Sequence, residues 1–205
     1  MKRKELEILL ERIEDIPEPD VASEQYATPA PVAADLLFFA FANGDIEDRV
    51  VYDLGCGTGI LGIGAKVLGA RAVIGIDRDA RAIEVARRNT AKFGVVVEFR
   101  RSAVQEVSGK GDTVVMNPPF GAQWKNRHAD RLFLAKALEI APVVYAILNV
   151  QSESFVEALI PAATILRYPV SFPLTRRFWF HEKDRKIIPV EIYRIAKEDQ
   201  SCLDS

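Results

Sequence analysis

The stretch TVVMNPPFG (residues 113–121) ends four consecutive strand-forming residues on a carboxamide, two prolines and a phenyl ring. Proline donates no backbone hydrogen bond and fixes its own φ, so Pro118 and Pro119 stop any strand or helix there. The residue before each proline is held extended. The product is a rigid, carbonyl-rich corner that presents Asn117 and Phe120. An exocyclic amine on a planar base or amide is a poor nucleophile, because its lone pair is delocalised into the π-system. Two acceptors, the Asn117 side-chain oxygen and the Pro118 carbonyl, would hold both N–H bonds and aim that lone pair at an electrophile. Phe120 would stack on the planar acceptor, a contact worth about 1–3 kcal/mol per base.

A second stretch, VVYDLGCGTGILGIG (residues 50–64), places Gly55, Gly57 and Gly59 between a strand and a helix, where an open α/β sheet binds its ligand. Glycines let the backbone turn tightly and leave N–H groups free. The dinucleotide fingerprint needs Gly or Ala three residues after its second glycine, a position held here by Ile60. Asp53 closes the strand, and Asp77 closes the next one, 24 residues on. A carboxylate at Asp77 can accept hydrogen bonds from a ribose diol. One at Asp53 suits a cationic amino group better than a pyrophosphate. Together they favour S-adenosylmethionine over NAD, against the plainer alternative of a tight turn and nothing more. Its methyl group is the electrophile, on a sulfonium that leaves as a neutral thioether. No carboxylate base is required, and orientation supplies most of the acceleration. Cys56 reads as a small loop residue without redox duty.

NPPF after a strand, downstream of DLGCGTG, resembles the class I methyltransferases that modify planar exocyclic amino nitrogens: adenine N6 in nucleic acids and glutamine amides in release factors. EQYATP, with Gln25, Tyr26 and Thr28, resembles the segment that closes over the methionine end of the cofactor in those enzymes. Over residues 20–197 the order of EQYATP, DLGCGTG, MNPPFG and FHEKDRK is similar to the methyltransferase-like protein 5 family of small-subunit ribosomal-RNA adenine-N6 methyltransferases. That resemblance implies catalytic roles for Asn117, Pro118, Pro119 and Phe120. It implies cofactor contacts from Gln25, Tyr26, Thr28, Asp53, Gly55, Gly57, Gly59, Asp77 and Asn117. Where the family carries an acid near the cofactor's adenine, this chain has Ser102. The resemblance further implies structured ribosomal RNA as partner, and a small zinc-binding activator protein that covers an exposed sheet edge. Only about 45 residues precede the first strand, which counts against a release-factor glutamine methyltransferase. No stretch is long enough for the target-recognition insertion of a duplex-DNA enzyme. A non-catalytic RNA-binding factor that kept the fold is the reading from another class.

Two further segments could touch RNA. Trp124, Lys125, Arg127 and His128 form either a lid over an extruded base or a surface loop. The segment LTRRFWFHEKDRK interleaves Arg176, Arg177, Lys183, Arg185 and Lys186 with Phe178, Trp179, Phe180 and His181. Cations for phosphates and rings for unstacked bases suit RNA, although Phe178 and Phe180 could instead face the core. Residues 167–197 hold eight Lys/Arg against three Asp/Glu, while the whole chain has a net charge of −2.

These residues need elements to hold them. Leu6, Leu9, Leu10, Ile13 and Ile16 predict a leading helix ended by IPEPD, and a second helix follows Pro31 and stops near Gly44. Strands are predicted at 49–55, 72–77, 95–100, 112–116 and 142–149, with helices at 59–69, 79–93, 130–141 and 153–160. Two tail strands, 163–174 and 187–196, flank the turn HEKDRK and pair antiparallel. The strand at 143–150 is either an edge or, on its pattern, a central buried strand. The expected fold is α/β: a Rossmann-like, seven-stranded class I methyltransferase sheet, mostly parallel, with an antiparallel C-terminal pair and helices on both faces. A helical lead-in (about 1–45) and a catalytic core (about 46–197) make one domain of the 205 residues. No apolar run approaches a membrane span, two distant cysteines form no metal or disulfide framework, and no signal peptide is evident. The expectation is a cytoplasmic protein without a metal.

Overall fold

In a computed structural model, residues 1–17, 27–119, 129–160, 163–175 and 185–197 are described. Two helices lead, α1 (Arg3–Leu10) and α2 (Ala30–Ala42). Strands and helices then alternate: β1 (Val50–Leu54), α3 (Ile60–Val67), β2 (Ala72–Asp77), α4 (Ala80–Phe93), β3 (Glu98–Arg101), β4 (Thr113–Met116), α5 (Ala129–Ile140), β5 (Val143–Asn149) and α6 (Glu153–Leu159). The long strands β6 (Ala163–Thr175) and β7 (Arg185–Lys197) close the chain. Proline in the first turn starts α2, and α4 ends at Gly94 in the left-handed region, the usual helix punctuation.

The strands form a single sheet of order β3-β2-β1-β4-β5-β7-β6. The first five run parallel, and β7 pairs antiparallel with both β5 and β6. Successive strand residues sort to opposite faces. Val51, Val115, Tyr145 and Ile192 pack under α1, α2 and α3, whereas Tyr52, Leu54, Met116, Leu148 and Tyr193 pack under α5 and α6. Helices therefore cover both faces, and the parallel strands read as unbroken apolar runs for that reason. β5 is central, flanked by β4 and β7. At the opposite end of the sheet from the glycine turn, Asp45 accepts from the Tyr145 hydroxyl at 2.6 Å and from Arg194 Nε at 2.8 Å. That buried contact joins β5 and β7 to the loop before β1.

Three boundaries differ from expectation. The leading helix stops at Leu10 and residues 11–17 form a non-helical strap along α4. The cause is Asn89 of α4, whose Oδ1 accepts from the Glu14 N–H (2.9 Å) and whose Nδ2 donates to the Glu14 carbonyl (3.0 Å). Those backbone groups are thereby taken from any further helical turn. Ile16 is still buried, against Ala82 and Val85. Leu6 and Leu10 bury fully on α2 and α3, at about 2 kcal/mol each. β3 begins only at Glu98, where pairing with Ile74 starts. Arg185 and Lys186, expected in the turn HEKDRK, already pair with Thr175 and Leu174 as part of β7, and the rest of that turn lies outside the described residues.

The antiparallel pair outruns the sheet. β5 and β7 pair up to Asn149↔Val190, yet β6 and β7 continue for five more rungs, from Ser171↔Pro189 to Thr175↔Arg185. A two-stranded ribbon thus extends about 17 Å beyond the carboxyl ends of the parallel strands, at about 3.4 Å per residue. Pro169, Pro189 and Pro173 fall on alternate rungs of this ladder. Proline fits only where an N–H would point out of the pair, so their spacing defines the outward phase of both edges.

Candidate active site

Four strand ends meet at one edge. Leu54 of β1 lies opposite Ile76 of β2 and Met116 of β4, and Asp77 lies opposite Arg101 of β3. The row along the carboxyl edge is therefore Ser102, Asp77, the turn from Asp53 to Gly59, then Asn117. Strand order reverses at β1, so the crevice between β1 and β4 is the ligand position of an open α/β sheet.

The turn is held by its backbone. Gly55, Gly57 and Gly59 all have positive φ, and the Gly55 and Cys56 N–H groups both donate to the Ile76 carbonyl at 2.8 and 2.9 Å. Gly59, at φ +81°, caps α3 without a side chain. A Cβ there would stand 3.2 Å from Ala86 Cβ and 3.3 Å from the Phe99 ring, so both the dihedral and the space call for glycine. Asp77 anchors the turn from the next strand: Oδ2 accepts from the Gly57 N–H and Oδ1 from the Asp79 N–H, both at 2.9 Å. Burial is the main cause that moves the Asp77 carboxyl above its usual range, with those two N–H groups opposing. Each oxygen keeps a lone pair for a ribose hydroxyl.

Asp53 lies deeper than a strand-end acid in an open loop would. It is 1% exposed, beneath the first turn of α3, where Oδ2 accepts from the Gly62 N–H at 2.8 Å. It supplies the helix-terminal acceptor that Gly59 cannot. Burial nevertheless pushes its carboxyl up to about 7, the Gly62 N–H opposing and Asp77 adding to the shift. A buried acid held close to neutrality gains most from a cationic partner. Cys56 is buried among Ile83, Ala86 and Phe99, and burial raises its thiol well above the ordinary range, which leaves it unreactive as expected.

On the other side of the crevice, Asn117 Nδ2 donates to Thr28 Oγ1 at 2.9 Å. Asn117 Oδ1 is buried and accepts no hydrogen bond. An unsatisfied buried acceptor costs about 1–3 kcal/mol and calls for a donor from a ligand. Pro118 is buried and Pro119 half-buried beside it. Ser102 donates its N–H to the Asp77 carbonyl at 3.0 Å and its hydroxyl to the Ala103 carbonyl at 3.0 Å.

Asn117, Thr28, Asp53, Gly55, Gly57, Gly59, Asp77 and Ser102 are thus brought to one edge, with Pro118 and Pro119 following Asn117. Gln25, Tyr26, Phe120, Trp124, Lys125, Arg127, Arg176, Arg177, Phe178, Trp179, His181 and Lys183 lie outside the described residues. Two contributors escaped the sequence reading. Gly62 had a signal, as one more glycine in the motif, but its role needs the N–H contact to Asp53. Asn89 is fully buried and its Nδ2 also donates to the Thr58 carbonyl at 3.0 Å, so one amide ties the N-terminal strap, α4 and the glycine turn. An asparagine inside an amphipathic helix announces none of that.

A sheet of this order, with paired strand-end acids, a glycine turn and an unsatisfied carboxamide acceptor across the crevice, defines a class I S-adenosylmethionine-dependent N-methyltransferase. The methyltransferase small-domain family model matches residues 30–141, and the chain belongs to that family. It is 41% identical to protein MJ0284 of Methanocaldococcus jannaschii, over 96% of this chain and 95% of that one. It is 33% identical to the rRNA N(6)-adenosine-methyltransferase METTL5 of Danio rerio, over 96% and 99% of the two chains. The crystal structure of PH1948 from Pyrococcus horikoshii, described as a candidate RNA methyltransferase, superposes with a TM-score of 0.89 at 39% identity, covering 97% of this chain and 99% of that one.

Proposed function

We propose that this protein methylates the N6 amino group of an adenine in ribosomal RNA, that of the small subunit. The observation that carries the reading is the buried, unpartnered Oδ1 of Asn117. A site that offers an acceptor there suits a group with N–H bonds to donate. The full-length likeness to an rRNA adenosine methyltransferase supports adenine over a glutamine amide.

When bound, S-adenosylmethionine supplies an electrophilic methyl carbon. The protein's own part is to hold and orient. Asp53 and the Gly55–Gly59 turn would receive the methionine end, over which Gln25, Tyr26 and Thr28 would close, and Asp77 would take the ribose hydroxyls. Ser102, set against Asp77, borders the adenine. Asn117 Oδ1 and the Pro118 carbonyl accept the two amine protons, which turns the nitrogen lone pair along the line of displacement. Phe120 stacks on the base.

The ribbon leaves the sheet at the same edge as the crevice, and Arg176, Arg177, Phe178, Trp179, His181 and Lys183, which lie between its two strands in the sequence, would meet RNA beyond the target base. Trp124, Lys125 and Arg127 follow the acceptor corner in the chain and would meet the flipped nucleotide. A small zinc-binding activator would find a pairable edge at β3, since Pro169 and Pro173 interrupt the outward face of β6. Among the described residues no helix is long and apolar enough to cross a membrane, and an rRNA substrate points to the cytoplasm.

The test is transfer of a labelled methyl group from S-adenosylmethionine to unmethylated rRNA, with RNase, DNase and protease digests in parallel. Label lost only to RNase, recovered as N6-methyladenosine and absent with Asn117→Ala, is expected. Label that resists RNase but yields to protease would replace adenine with glutamine.

A further inference from the structure

We propose that Asn149, at the carboxyl end of β5, is a specificity-determining residue: its carboxamide donates to the ring nitrogen beside the amino group of the target adenine. This deepens the reading that Asn117 receives that amino group, and it rests on it. Asn149 lies outside every motif of the sequence and is reached only through the register of the sheet.

Strand phase puts Asn149 on the crevice side of the sheet. Val51 of β1, Val115 of β4 and Tyr145 of β5 belong to one core cluster, and Val115 lies opposite Tyr145. Side chains two residues apart share a face. Asp53, Asn117 and Ile147 therefore follow on that face, and Asn149 follows Ile147. Both phases check: Ile147 belongs to the same cluster, and Asn117 meets Thr28 just ahead of α2. At the carboxyl edge of this face β1, β4 and β5, neighbours in the sheet, thus carry Asp53, Asn117 and Asn149 in turn. The first suits the cofactor's amino group and the second the substrate amine. The third is half-buried and stands one step further along the same row.

The spacing fits an amine with an acceptor beside it. β4 ends its pairing at Met116↔Ala146 and β5 runs on to Asn149, so Asn149 stands two residues beyond the level of Asn117. Two residues along and one strand across place the two Cα atoms about 8 Å apart. The side chains are equal in length and leave the same face, so their ends keep about that separation. Two hydrogen bonds and the two-bond step from an exocyclic nitrogen to a ring nitrogen also span about 8 Å. In adenine that ring nitrogen is N1, which accepts and cannot donate, so it takes the NH2 end of the Asn149 amide. Beyond Asn149 the same rung continues through Val190 of β7 to Val170 of β6, the first buried and the second half-buried. Apolar side chains there keep water from the bond and offer the base no competing partner. A base held at both its amine and N1 cannot swing about the corner, so Asn149 fixes its rotation as Asn117 fixes its place.

The experiment uses the full chain as wild type, Asn149→Ala, Asn149→Asp and Asn117→Ala. Its substrates are two synthetic rRNA fragments that carry, at the adenine mapped by label transfer, either adenine or 1-deazaadenine. The second keeps the amino group and replaces N1 with a C–H. Single-turnover transfer gives each protein a rate ratio of adenine to 1-deazaadenine, and comparing ratios cancels any intrinsic difference between the two amines. The ratio should be about tenfold higher for wild type than for Asn149→Ala, the span of one hydrogen bond. Asn149→Asp cannot donate and sets a carboxylate against the N1 lone pair, so its ratio should fall below that of Asn149→Ala. A merely structural Asn149 would lower both rates together and leave the ratio alone. Calorimetry with S-adenosylmethionine should give one Kd for wild type and both Asn149 variants. Equal ratios in wild type and Asn149→Ala overturn the proposal, and so does an Asn149→Asp ratio at or above that of wild type. Failure of wild type to methylate the adenine fragment, or full transfer by Asn117→Ala, instead overturns the acceptor reading on which the proposal rests.

Discussion

Asp53 makes the folded protein carry a buried acid held close to neutrality. Its carboxyl rises from the ordinary value of 3.8 to about 7, burial being the first cause. At about 1.4 kcal/mol per pKa unit, ionising Asp53 in the folded state costs on the order of 4 kcal/mol more than in the unfolded chain. The folded-state value is the raised one, so this contribution is fully favourable below pH 3.8 and is lost as pH climbs through about 7. Asp53→Asn keeps an oxygen for the Gly62 N–H and removes the charge. The variant should match wild type near pH 4 and gain on it as pH rises, with the gap levelling off above about pH 7 at a few kcal/mol. For a chain of this size that is on the order of 10 °C in Tm. Part of the pH slope will remain in the variant, because burial also raises Asp77. Thermal unfolding of both proteins from pH 4 to 8.5 measures the gap directly. Calorimetry on the same samples should show that Asp53→Asn has lost affinity for S-adenosylmethionine, the exchange of stability for function expected of a strained site. A gap that stays flat across this pH range would refute the burial argument.

Asn89→Leu should cost about 2–3 kcal/mol, since it leaves the Glu14 and Thr58 backbone groups without partners, and should also weaken cofactor binding; urea unfolding and calorimetry read the two effects. Replacing residues 173–187 with a two-residue turn, which keeps the buried Phe172, should leave cofactor affinity unchanged and weaken binding to rRNA fragments. Its plot of log affinity against log salt should be shallower than wild type, because phosphate contacts are lost. An unaltered salt slope would remove the ribbon from the RNA interface.

Much of the site was legible before the fold because its signals are local. A glycine pattern after a strand dictates a tight turn wherever it occurs, and two prolines end a strand whatever surrounds them. The alternation of buried runs with amphipathic segments was enough for a mostly parallel sheet, and the two tail strands announced their antiparallel pairing by their short connection. The misjudged end of the leading helix shows what local signals leave open. The periodicity of Ile13 and Ile16 correctly marked both as inward-facing, but burial alone does not distinguish a helix from a strap. Asn89, 75 residues away from Glu14, made the choice by taking its backbone groups.

Sequence by itself therefore determined the parts list and its order: a glycine turn between two acids, a proline-locked carboxamide, and strands enough to carry them to one edge. The tertiary structure decided three things that spacing cannot express. It buried Asp53 under α3, where exclusion of water sets its protonation. It set Thr28 against Asn117, 89 residues away in the chain. It let β6 and β7 outrun β5, which turned a basic tail into a projecting ribbon. Each depends on contacts between residues far apart in the chain, and desolvation, hydrogen-bond polarity and register exist only once those residues have met.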